Sequence, residues 1–265
     1  MKFLVVGRTG TGKSTLCKCL EKKGLKVLKT YTTRPKRSER DNDHSFLTER
    51  EAVEFREERK LLRTVINGYE YFTTYSSVQN ADVLCIDPDG VKEITDAFPN
   101  ISFYIIYMKA DEAERKNRAI QRADDPAKEI LVFETRNWSE NPMFTEFEKQ
   151  MQQAHTPIVG VICYHNNFQY NKLDNFANSL RNLFQAHANI LSIIRGCIMT
   201  GILEEKDGKI AVWKKISEGD KKELISKDIF ADILMSDKEG FARTVLAWIG
   251  EEKVNLCPFV DSIRS

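Results

Sequence analysis

The chain has 265 residues, enough to bury one full core and carry a smaller appendage. Lys plus Arg number 40 against 39 for Asp plus Glu, and a net charge of +1 gives no electrostatic reason to expect a nucleic acid or an anionic membrane as partner. The six cysteines, Cys17, Cys19, Cys85, Cys163, Cys197 and Cys257, form no C-x-x-C pair and have no His at zinc-ligand spacing, so they read as reduced, mostly buried thiols.

The first element is the apolar run Lys2-Phe3-Leu4-Val5-Val6, suited to a buried parallel strand. The run Gly7-Arg8-Thr9-Gly10-Thr11-Gly12-Lys13-Ser14 follows and fits G-x-x-x-x-G-K-[ST], the phosphate-cradling loop. Its glycines let successive N–H groups point inward at phosphate oxygens, Lys13 adds a mobile charge, and Ser14 offers a hydroxyl to Mg²⁺. The helix opening there, 14–23 with Gly24 as its stop, contributes a partial positive charge at its N-terminus. Strand, loop and helix together predict a triphosphate site whose ATP-binding residues are Gly7, Thr9, Gly10, Thr11, Gly12, Lys13, Ser14 and Thr15. With a core strand at its start the chain leaves no room for a signal peptide, and its most apolar stretch, 188–203, is interrupted by Arg195; a cytoplasmic compartment is expected.

Further strands are predicted at 25–30, 81–87, 101–108 and 158–163, alternating with segments of helical periodicity. That alternation predicts an α/β fold with a central parallel sheet, and ligands at the carboxyl ends of its strands. The rim therefore gathers the phosphate loop, residues 30–37, residues 87–90 and Asn166. Between these, Thr48-Glu49-Arg50-Glu51 predicts a helix start reaching Lys60, and a hairpin is expected over 63–74 around Asn67-Gly68. Residues 111–122 and 126–151 read as charged helices. From about Ala188 the pattern changes to a hairpin over 203–216, turning at Asp207-Gly208, and two helices at 221–234 and 238–249. This tail carries 12 basic and 13 acidic residues and is expected to form a small α+β appendage.

A second cluster, Thr30-Tyr31-Thr32-Thr33-Arg34-Pro35-Lys36-Arg37, sets two guanidinium forks and several hydroxyls at a strand end, a combination suited to a phosphomonoester. A solvated basic loop is the alternative on these residues alone.

With these parts in order, the sequence resembles the guanylate kinase family of nucleoside monophosphate kinases over roughly residues 1–187. The match runs from the phosphate loop and T-Y-T-T-R-P-K-R through Phe46-Leu47-Thr48 and Gly68-Tyr69-Glu70-Tyr71-Phe72-Thr73. It continues through Cys85-Ile86-Asp87-Pro88-Asp89-Gly90-Val91 to Arg115, Arg118, Arg122 and Arg136. The resemblance implies a P-loop kinase domain over 1–187, with an acceptor-binding region at about 34–75, a lid region at about 111–136, and an extension of unknown role at 188–265. It implies that Thr30, Arg34, Arg37, His44, Tyr71, Thr73 and Asp87 grip the acceptor, and that Arg118, Arg122 and Arg136 act with Lys13 on the transferring phosphoryl group. It also implies that Asn166 or Asn167 lies near adenine, helix capping being the alternative, that Ser14 and Asp87 serve Mg²⁺, and that ATP is the donor.

Two departures stand out. The family's guanine-reading Glu falls on Leu62, with Arg63 and Thr64 following, and its strand-end Asp-x-Asp falls either on Cys85 and Asp87 or on Asp87 and Asp89. The expected activity is phosphorylation of a nucleoside or deoxynucleoside monophosphate, GMP or dGMP first, by ATP. Alternatives are a sugar-phosphate kinase of similar fold, hinted at by Asn42-Asp43-His44, and a non-catalytic guanylate-kinase-like interaction module, which the intact Gly7, Gly10, Gly12, Lys13 and Ser14 disfavour.

Overall fold

The computed structural model describes residues 1–36, 39, 44–55, 60–66, 68–121, 125–151, 158–167, 169–199, 205–216, 219–228 and 230–231. The chain divides into two compact units, one made of Met1–Pro99 and Phe103–Asn182, the other of Asn100–Ser102 and Leu183–Ser265.

In chain order the first unit contains β1 (Lys2–Gly7), α1 (Lys13–Lys22), β2 (Tyr31–Thr32), β3 (Ser45–Phe46), α2 (Glu49–Glu54), β4 (Lys60–Ile66), β5 (Tyr69–Thr74), α3 (Tyr75–Asn80), β6 (Val83–Cys85), α4 (Pro88–Ala97), β7 (Phe103–Lys109), α5 (Glu112–Gln121), α6 (Pro126–Met151) and β8 (Ile158–His165). The helix α7 (Tyr170–Met199) begins in it.

The first sheet is all parallel in the order β6-β1-β7-β8. Every residue of β1 is buried, because a parallel strand covered on both faces has no solvent side. Phe3, Leu4, Val5 and Val6 on β1 meet Ile105 and Ile106 of β7, and each such side chain contributes about 1.5–3 kcal/mol when fully buried. The strand expected at 25–30 reduces to one parallel bridge, Val27 to Val83. Only Lys26 and Leu28 bond to residues 82 and 83 before the chain leaves for the second sheet.

That second sheet, in the order β3-β2-β5-β4, stands beside the phosphate loop's rim. β2 pairs in parallel with β3 and antiparallel with β5, and β4 closes the hairpin onto β5 with an irregularity between Leu61 and Thr64. The helix expected at 48–60 is correct at its start and too long at its end. Thr48 and Glu51 form a reciprocal capping box, but α2 stops at Glu54 and Lys60 already belongs to β4. Pairing of Leu61, a buried residue, with Thr73 of β5 wins over the charged run's helical propensity.

The second unit holds the C-terminal part of α7 and the antiparallel sheet β11-β10-β9, made of β9 (Glu205–Lys206), β10 (Lys209–Ile216) and β11 (Gly219–Ser226). Its small core joins Ile194, Ile210, Phe230 and Ala231, with Ile190, Leu191 and Ile198 packed against it. The turn at Asp207-Gly208 is present, both residues at positive φ. The helix expected over 221–234 starts too early: residues 219–226 form β11, held to β10 by eight register pairs from Lys209–Ser226 to Ile216–Gly219, and helical residues follow only at 227–228 and 230–231. The expected change of pattern at Ala188 falls inside α7, which runs unbroken to Met199. The helix expected at 238–249 lies outside the described residues. Among the described residues no helix is long and apolar enough to cross a membrane.

Candidate functional site

The carboxyl ends of β1, β6, β7 and β8 set the site. From β1 the chain passes into the phosphate loop and then α1, whose first turn carries Lys13, Ser14 and Thr15. The loop's shape depends on two glycines: Gly10 (φ 84°) lies against Arg115, and Gly12 (φ 95°) lies where any Cβ would collide with Asn166 Nδ2. Asn166 follows β8, is buried, and donates from Nδ2 to the Thr11 carbonyl at 2.8 Å. It thus supports the loop from beneath, a placement that neither adenine contact nor helix capping anticipates.

Thr9, at the crown of the loop, has each of its polar groups taken by a neighbouring helix. Its N–H and hydroxyl donate to Glu140 at 3.1 and 2.7 Å, and its carbonyl accepts from Arg115 Nη1 at 3.1 Å. Arg8 donates to Asn141 and lies over the Phe144 ring at 5.0 Å. Thr11 is buried and its hydroxyl donates to the Arg8 carbonyl at 2.9 Å. The Lys13 ammonium donates to the carbonyls of Gly7 and Arg8.

Arg115, on α5, is 3% exposed; its Nη2 donates to Asn137 of α6 at 2.8 Å and its guanidinium lies 5.4 Å from the Phe133 ring. Burial, reinforced by the Arg8 charge, holds it below the usual guanidinium range. Nothing in the sequence spacing distinguishes Arg115 from Arg118 and Arg122; the signal lies in which turn of α5 meets the loop. Arg118 is half-buried three residues along, and Arg122 lies outside the described residues.

A cavity of about 580 Å³ opens beside the loop. Its lining brings together Gly7 and Lys13 from the loop, Thr30, Arg34, His44 and Tyr71 from the second sheet and its flanks, Asp87 after β6, and Arg136 and Glu140 on α6. Within the acceptor cluster, Thr30 Oγ1 and His44 Nδ1 are 2.7 Å apart, and the His44 ring meets the Tyr71 ring edge-on at 5.6 Å. Arg34 is nearly buried, its backbone N–H donating to Thr32 Oγ1 at 3.1 Å and its guanidinium 5.1 Å from the Phe46 ring. Thr73 does not join them: it is fully buried opposite Leu61, its hydroxyl has no partner, and it is absent from the cavity lining. Arg37, Asn42 and Asp43 lie outside the described residues.

The far wall is formed by Leu62, Thr64, Tyr69, Cys85 and Ile86. Leu62 adopts φ 54°, its N–H donates to Glu93 at 2.9 Å, and its Cδ2 packs 2.9 Å from the position of a Cβ on Gly90. The Glu70 carboxylate is engaged by Lys60 at 3.1 Å and Arg63 at 2.8 Å. Burial opposes ionisation of Glu70, and these two cations outweigh it, leaving its carboxyl below the usual range. Of the two strand-end alignments, Cys85 and Asp87 both line the cavity, while Asp89 is an exposed first-turn residue of α4. The Cys17 thiol is raised by its hydrogen bond to Cys85 and by burial. The expectation of mostly buried thiols holds for Cys17 and Cys19, whereas Cys163 is exposed.

Among the described residues no group of three or more His, Cys, Asp or Glu side chains is placed to hold a metal by itself. The donor set that does exist, an exposed Ser14 hydroxyl at the start of α1 and the Asp87 carboxylate whose Oδ1 also accepts the Gly90 N–H at 2.7 Å, fits Mg²⁺ shared with phosphate oxygens and water.

No protein-family model and no curated protein matches the chain. Among the solved structures that match is guanylate kinase from Anaplasma phagocytophilum, with a TM-score of 0.39 and 15% identity over 70% of this chain and 85% of that one. A likeness of that size carries no argument.

Proposed function

We propose that the chain is an ATP-dependent phosphotransferase acting on a nucleoside or deoxynucleoside monophosphate, guanylate-kinase-like in its mode. The observation that supports this reading is a single cavity lined both by Gly7 and Lys13 of the phosphate loop and by Thr30, Arg34, His44 and Tyr71, with Arg136 on the same lining. One anion grip serves a triphosphate and the other a phosphomonoester, which is what transfer between two phosphorylated ligands requires.

In this mechanism an oxygen of the acceptor phosphate attacks the γ-phosphorus, the bond to the β-γ bridging oxygen breaks, and ADP leaves. A phosphate dianion is itself a nucleophile, so no side chain has to remove a proton. Alignment and charge neutralisation carry the catalysis through a loose transition state. Lys13 and the loop N–H groups hold the donor, Thr30, Arg34, His44 and Tyr71 hold the acceptor phosphate, and Arg136 faces the space between them. Arg118 and Arg122 of the lid region complete the positive charge on closure, which excludes water and suppresses hydrolysis. Ser14 and Asp87 are the residues that would hold Mg²⁺, which when bound neutralises charge on the triphosphate.

The far wall favours a second reading for the acceptor's identity. Leu62, Thr64, Tyr69 and Cys85 carry no carboxylate, and the neighbouring Glu70 and Glu93 are engaged by Lys60, Arg63 and the Leu62 N–H. A wall without a carboxylate for guanine's N–H donors suits another base, or a sugar phosphate with none. An ATP-coupled assay over GMP, dGMP, AMP, CMP, UMP, dTMP and ribose phosphates decides between them. Turnover of at least one nucleoside monophosphate supports the first reading; turnover of a sugar phosphate alone replaces it with the second.

A further inference from the structure

We infer that Glu140 and Arg115 are positioning residues that hold the crown of the phosphate loop in its nucleotide-receiving shape, an inference that rests on the reading of that loop as a triphosphate site. Glu140 receives both the N–H and the hydroxyl of Thr9, at 3.1 and 2.7 Å, while Arg115 donates to the Thr9 carbonyl at 3.1 Å. Every polar group of Thr9 is thereby fixed by a side chain from outside the loop. The three anchors on α6, Asn137, Glu140 and Asn141, recur at helical spacing and so share one face, which receives Arg115, Thr9 and Arg8 respectively. Arg136, one residue before Asn137, lines the cavity. The helix that presents a cation to the transferring group therefore also sets the loop that holds the donor.

A carboxylate near a phosphate site invites the opposite idea, that Glu140 competes with the triphosphate for the loop. Two observations weigh against it. Its ligands are on Thr9, before the run from Gly12 to Thr15 that opens α1, and the Lys13 ammonium bonds loop carbonyls instead of pairing with it. Its charge also compensates the buried Arg115, whose Nε has no hydrogen-bond partner and whose ion pair to Glu112 spans 3.9 Å.

The two ideas predict opposite signs. ATP affinity by titration calorimetry, and kcat and KM for ATP and for the best acceptor, are measured for wild type, Glu140→Ala, Glu140→Gln, Thr9→Ala and the Thr9→Ala/Glu140→Ala double variant. Positioning predicts that Glu140→Ala weakens ATP binding and lowers kcat, each by about tenfold, because its charge-assisted hydrogen bonds to the loop have been lost. Glu140→Gln, which keeps an acceptor and adds a donor for the hydroxyl, recovers most of the loss. The double variant is no worse than Glu140→Ala, since both remove one coupled unit. ATP binding in Glu140→Ala equal to or tighter than wild type overturns the inference, as does a lowered unfolding temperature with unaltered ATP affinity. Because binding is read without turnover, a wild type that binds ATP and transfers nothing removes the kinase reading and leaves this test intact. A wild type that binds no ATP removes both.

Discussion

Lys13 in this structure spends its ammonium on the carbonyls of Gly7 and Arg8, closing the loop on itself. Its contribution to the fold is confined to the loop. Lys13→Ala is therefore expected to abolish phosphoryl transfer, by about a hundredfold or more, with an unfolding midpoint within about 2 °C of wild type by calorimetry. At the acceptor end the informative residue is Leu62. Substituting Leu62→Glu places a carboxylate on the wall that has none, and the ratio of kcat/KM for GMP to that for dTMP is expected to rise about tenfold in the coupled assay. The strand, loop and helix around Lys13 were legible in the sequence because their signal is local: eight consecutive residues carry the loop's glycines, lysine and hydroxyl. Arg115, Glu140 and Asn166 were not selected as loop supports, because each meets the loop from more than 100 residues away, at 106, 131 and 155 positions' separation. Thr73 was misread for the complementary reason. Its hydroxyl belongs to a motif, but its depth in the sheet is decided by pairing with Leu61.

At the scale of elements, the contact of β7 with α6 makes the stability of the fold depend on pH. The Tyr107 hydroxyl donates to Glu148 at 2.8 Å, and Lys109 pairs with the same carboxylate at 3.1 Å. The Tyr107 bond first and Lys109 next hold Glu148 below its ordinary value of 4.5, while burial and then Glu148 raise Tyr107. A carboxyl depressed in the folded state stabilises above its unfolded pKa, and that stability is lost as pH falls through 4.5 and on through the lower folded value. Urea midpoints measured from pH 6 to pH 3 are expected to drop less steeply in Tyr107→Phe than in wild type, with the curves diverging most above pH 4.5. The helix α6 was legible end to end, since Pro126 opens it and its charge pattern is continuous to Met151. The segment 219–226 was not. Lys-Lys-Glu-Leu-Ile-Ser reads as a helix in isolation, and only the partner strand β10, once its turn at Asp207-Gly208 is made, gives those backbone groups a better ladder.

For the molecule as a whole, the boundary between the two units falls within α7, so a cut must be placed by what each part of that helix buries. Ile190, Leu191, Ile194 and Ile198 pack with Ile210, Phe230 and Ala231; a truncation beyond them leaves an apolar stripe uncovered. We propose that the first unit alone carries ATP binding, and a truncation after Asn189 is expected to retain wild-type ATP affinity within about threefold by calorimetry, with the protein monodisperse. Loss of affinity in a folded truncation would assign the second unit to the site. The parallel sheet was legible from the alternation of strands and helical segments, whereas the turn of α7 at which the packing partner changes was not, because helical periodicity continues through it. One contact within the first unit also bears on how such a chain can diverge. Gly12 is required at φ 95° and again by Asn166 pressing from beneath, so the loop's glycine would stay under constraint even in a descendant that no longer met a nucleotide. A side chain at position 12 would have to meet the left-handed backbone and displace Asn166 Nδ2 at once, so Gly12 is expected to persist wherever both features persist, whether or not the loop still receives a ligand.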